Sequence, residues 1–133
     1  MRNLLFILIF SLSLSVSSEE TISRWMADYF KRIHDHIGNE NYEKAQNELE
    51  MGDKNYFRGG RTYEAALLYQ LYGQFYAVQS QYTNAIPWFE KALATGKMPR
   101  IGQQEVRFQL AQTYFMIGNY ENVIPLLEEF IAV

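Results

Sequence analysis

An all-α array of antiparallel helix pairs is the fold this sequence predicts, and three observations predict it. The first is internal repetition: Tyr42, Tyr82 and Tyr120 recur at spacings of 40 and 38 residues, each opening an apolar stripe. The second is the period inside a unit. Tyr82, Ala85, Phe89 and Ala92 follow one another at three and four residues, which places them on one helical face. The third is punctuation, since Ser80-Gln81 and Gly118-Asn119 interrupt two such stripes and supply the turn between paired helices. A unit of this kind cannot bury its apolar face alone, so neighbours must stack, and about three are needed.

The periods predict helices over Thr21–Ile37, Tyr42–Met51, Thr62–Gln79, Tyr82–Thr95, Gly102–Ile117 and Tyr120–Val133. These group into pairs over 21–52, 62–96 and 102–133, with extra inter-repeat residues around Asp53–Arg61 and Lys97–Arg100. Gly73 and Ala111 are small where two helices approach closely, with Ala85 and Val123 facing them, whereas Gly96 falls in a loop at a helix end. Pro87 and Pro125 each stand five residues after the repeat tyrosine. If each helix begins just after that tyrosine, the proline falls in the first turn, where its missing N–H is tolerated.

Composition narrows the function classes. Aromatic residues make up 16% of the 133-residue chain, ample for a packed core. The net charge is −3 and the basic residues are scattered, so the basic footprint that nucleic acid or anionic lipid requires is missing. There is no cysteine, which excludes disulfides, thiolate zinc sites, cysteine nucleophiles and a lipidated cysteine. The first 18 residues differ from the rest. Arg2 provides a basic start, Leu4–Phe10 is an unbroken apolar run, and Ser11–Ser18 leads into Glu19-Glu20. This is the layout of a secretory signal peptide cleaved after Ser17 or Ser18. The apolar stretch Leu4–Val16 is short of the roughly 20 residues a membrane span needs. The mature chain is therefore expected beyond the inner membrane, in the periplasm if the cell is Gram-negative.

Residues that could carry chemistry do not assemble into a site. His34 and His36 lie two apart on a helix, pointing about 200° apart, so they cannot share one metal ion. Glu48/Glu50 and Glu128/Glu129 fall on acidic, solvated faces. Arg58-Gly59-Gly60-Arg61 is glycine-rich but follows no strand, and reads as a connection between repeats. No nucleophile elbow, zinc-helix motif or phosphate loop occurs. Neither enzyme activity, cofactor, metal nor small-molecule substrate is expected.

The order of a small residue, a tyrosine three later, a turn, the repeat tyrosine, an alanine and a large aromatic, running over Ala66–Val133, resembles the tetratricopeptide repeat. The first pair departs from it, with Ile33 where a small residue is expected and His36 in place of the tyrosine. The segment from Tyr63 onward is similar to exported repeat proteins found beside TonB-type energy-transducing systems of marine gammaproteobacteria. The resemblance implies that the first helix of each pair lines a concave groove. The repeat register then puts Phe30, His34, Gln70, Gln74, Phe108, Gln112 and Phe115 in that groove. Family members that clamp a C-terminal carboxylate use Lys, Arg and Asn there, so rings and amides imply a different ligand, a peptide with few charges. The other reading of these rings is that neighbouring chain buries them. The expected function is an exported protein–protein interaction module, an accessory of an envelope transport complex. Its alternative is a structural or assembly protein that homo-oligomerises through its C-terminal face. The chain closes on Phe130-Ile131-Ala132-Val133 without the polar capping helix such arrays carry, so either the natural protein is longer and continues into further repeats or a partner covers that face.

Overall fold

The computed structural model describes residues 22–57, 60 and 62–132. The signal-peptide reading, and Arg58, Gly59 and Arg61 of the glycine-rich connection, lie outside the described residues. Six α-helices are described: α1 (Arg24–Gly38), α2 (Tyr42–Gly52), α3 (Tyr63–Val78), α4 (Tyr82–Ala94), α5 (Arg100–Met116) and α6 (Tyr120–Ile131). The fold is all-α. In α1 the buried residues are Met26, Tyr29, Phe30, Ile33 and Ile37, a single stripe at three- and four-residue steps. In α4 the buried set is Tyr82, Ala85, Phe89 and Ala92, the same stripe that periodicity predicts.

The turns within the three pairs are one structure written in three sequences. Residues 39–41, 79–81 and 117–119 each place their middle residue in the left-handed region: Glu40 at φ 59°, Ser80 at 63° and Gly118 at 78°. In each, the last N–H reaches back five residues to a helix carbonyl. Asn41 donates to His36 at 2.7 Å, Gln81 to Tyr76 at 2.9 Å, and Asn119 to Tyr114 at 2.9 Å. That bond closes a helix C-terminus around a left-handed residue. Glycine occupies that place in one turn only; Glu40 and Ser80 adopt it at a local cost of about 1 kcal/mol.

α3 is enclosed on nearly every side, with only Glu64 and Tyr76 outside its buried set. Its start is capped by Thr62, whose hydroxyl accepts from the Ala65 N–H at 3.1 Å. Gly73 is a point of close approach, as its size implies, and the atoms nearest to its virtual Cβ belong to the Phe89 ring of α4. In the same pair, Tyr72 stacks on Trp88 with centroids 3.9 Å apart, and Lys91 lies over Trp88 and Tyr69.

The extra residues between the first two pairs begin in helical form: after Gly52 the chain continues as a π-helical segment, Asp53–Phe57, which brings Phe57 onto the Phe30 ring. One expectation is corrected. α4 and α6 begin at Tyr82 and Tyr120 themselves, so Pro87 and Pro125 lie inside their helices, beyond the first turn. Each proline therefore removes one regular backbone bond, the one to the carbonyl of Thr83 or Glu121 four residues earlier.

Candidate partner-binding site

The seven groove positions divide sharply. Phe30, Gln70 and Gln74 are buried and present no surface to a ligand, so for them the structure overturns the groove assignment. Phe30 is core, stacked on Phe57. The Gln70 amide donates to Gln109 Oε1 at 3.0 Å, tying α3 to α5. Gln74, in the next turn of α3, has no hydrogen-bond partner for its amide among the described residues. His34 is half-buried beside Asp35, its Nδ1 3.9 Å from a carboxylate oxygen.

Beside these glutamines sits a residue the sequence analysis missed. Glu105 of α5 is buried, and burial pushes its carboxyl up to about 7, the neighbouring Gln70 amide pulling the other way. The register held a signal for it. Glu105 stands 38 residues after Leu67, itself a buried apolar position, so an acid there departs from its repeat counterpart.

The remaining three positions, Phe108, Gln112 and Phe115, converge. With Ala111 and Met116 of α5, and Val123 and Leu127 of α6, they line a cleft of about 440 Å³, part of it open to solvent. Two features fix its walls. Phe108 packs against Phe130 with ring centroids 5.3 Å apart. The end of α6 is pinned to α5 by Gln104, which donates to the carbonyls of Glu129 and Phe130, and by the Arg107–Glu129 ion pair at 3.1 Å. Phe115 of the lining is 56% exposed, and on α6 Ile124 and Ile131 are 61% and 70% exposed.

The cleft has counterparts in the other pairs. One repeat earlier its positions are Gln70, Gly73, Gln74, Ala77, Val78, Ala85 and Phe89, all of them buried. In the first pair, Phe30, Ile33, Ile37, Ala45 and Leu49 are buried at matching places. Each of these pairs receives the helix that opens the next one. Phe75 of α3 meets Tyr42 of α2 edge-on, and Tyr114 of α5 donates to Glu90 of α4 at 3.0 Å. The third pair presents the same seat with no described helix on it. Among the described residues no group of three or more His, Asp or Glu is placed to hold a metal ion. The chain matches no protein-family model, no curated protein and no solved structure.

Proposed function

We propose that this protein is an exported interaction module of the tetratricopeptide kind, which captures another polypeptide at the apolar cleft between α5 and α6 and performs no catalysis. One observation carries the reading: Phe108, Gln112 and Phe115 meet Val123 and Leu127 around one uncovered apolar cleft. Contiguous exposed apolar surface of this kind is uncommon on monomeric proteins away from interaction sites. The repeated turn geometry supports the repeat reading. An accessory role in an envelope transport complex is the setting that the sequence resemblance suggests. No described helix is long and apolar enough to cross a membrane. Export rests on the first 18 residues, and mass spectrometry of protein from an envelope extract should find a new N-terminus near Glu19.

The exposed Ile124 and Ile131 favour a second reading, self-assembly through the same face. Phe115→Asp combined with Ile124→Asp separates the two. Both side chains are exposed, so far-UV helicity and melting should hold while the exposed apolar surface is lost. The wild-type chain, immobilised and exposed to native envelope extract, should retain a partner that the double variant releases, and should sediment as a monomer. Partner capture that survives the double substitution would place binding elsewhere. A wild-type dimer that the substitutions dissociate, with no partner retained, would establish the assembly reading instead.

A further inference from the structure

We infer that the α5/α6 cleft is a seat for an amphipathic helix carrying basic residues along its edge, supplied by a different polypeptide. This rests on the interaction-module reading and names the chemistry of its partner. That the occupant is a helix follows from the two equivalent seats, each of which receives the helix that opens the next pair, α3 on the first and α5 on the second. Its sign of charge follows from the exposed face of α6, where Glu128 holds the repeat position of Glu90, the α4 carboxylate that Tyr114 of the seated α5 reaches at 3.0 Å. Glu121, Ile124 and Glu128 are spaced three and four residues apart on α6, so the two carboxylates flank the exposed isoleucine along one stripe. From Phe108 to Val133 the sequence has no lysine or arginine to answer them. Arg107, just before, is already paired with Glu129.

The same charges argue against a second copy of this chain. Two α6 faces meeting across a two-fold axis would bring Glu121 and Glu128 against their own kind. Head-to-tail stacking fares no better. The positions of α1 equivalent to the seated faces of α3 and α5 include Lys31 and Asp35, exposed and paired at 2.7 Å. Asp28 and Arg32 stand beside them, exposed as well. That face would carry charges into an apolar cleft.

The test uses two synthetic amphipathic helices of α5's 17-residue length. Both have leucine on one face; one has lysine on the other face, and its isostere has glutamate there. The lysine helix should bind at least about tenfold more tightly than the glutamate helix, with affinity falling as salt rises. Glu121→Lys with Glu128→Lys, both exposed, should reverse the preference. Phe115→Ser leaves the charges in place and should weaken the lysine helix by about tenfold through lost apolar contact. Equal binding of the two helices, or a preference that survives charge reversal, overturns the basic-partner inference while leaving the module reading intact. A lysine helix held equally well by Phe115→Ser is bound by charge alone, which overturns the seat. If neither helix binds and the chain sediments as a dimer, a second copy owns the face and both readings fall. A mature protein from its own cells that runs on into a further helix on α5 and α6 would equally overturn the proposal.

Discussion

Replacing Gly73 by leucine is expected to lower stability by about 3 kcal/mol, near the upper end of what overfilled cores lose. A Cβ at this position would stand 2.5 Å from Cε1 and 2.6 Å from Cδ1 of the Phe89 ring. That ring is buried, so it cannot swing aside, and α3 and α4 must separate or Phe89 must leave its rotamer. The helix propensity gained by losing a glycine, about 1 kcal/mol, offsets only part of this. Gly96, a loop glycine by sequence, is a poor comparison because its φ of 64° strains any side chain placed there. Gly38 is the better one, at the end of α1 with nothing within 4 Å of its virtual Cβ. Gly38→Leu should change stability by less than about 1 kcal/mol. Thermal melting of the two variants checks this, and equal losses would mean that the α3–α4 contact is misplaced.

Substituting Glu105 by glutamine should raise stability by roughly 1–3 kcal/mol at about pH 8 and flatten its dependence on pH. The folded chain keeps the proton on this carboxyl up to about pH 7, whereas a free glutamate releases it near 4.5. Folding therefore takes up a proton between those values. The linkage slope is then negative, so this residue's contribution falls as pH rises from about 4.5 to 7 and is constant above. Glutamine occupies nearly the same volume, stays neutral throughout, and retains groups that can bond with Gln70. Urea titrations of both proteins at about pH 5 and pH 8 should diverge at the higher pH only. A difference of the same size at both values would show that the carboxyl's charge is not what limits stability there.

How much of this could be seen in the sequence depends on the range of the interaction that decides it. Periodicity and punctuation act within a turn or two of chain. Tyr82, Ala85, Phe89 and Ala92 therefore declared the buried stripe of α4 directly, and Ser80-Gln81 and Gly118-Asn119 marked their turns. The first turn was less visible, because its left-handed residue is Glu40, a type with no preference for that conformation. The starts of α4 and α6 fall at Tyr82 and Tyr120, as the periodicity has them; what the structure does not bear out is a first-turn place for Pro87 and Pro125, which lie further inside those helices.

The site was legible only in part, for a different reason. Spacing along a helix gives the direction in which a side chain points but not whether another helix stands there. Phe30, Gln70 and Phe108 hold the same repeat position, and spacing alone treats them alike. Packing does not: the first two are enclosed while Phe108 faces an open cleft. Likewise nothing local distinguishes Glu105 from the solvated Glu128. By itself, then, the sequence determined the helices, their pairing, the repeat and the charge of each face, all of which follow from neighbours in the chain. Tertiary structure alone decided the Gly73–Phe89 contact and which apolar seat carries no helix among the described residues. Each of these depends on the distance between residues far apart in sequence.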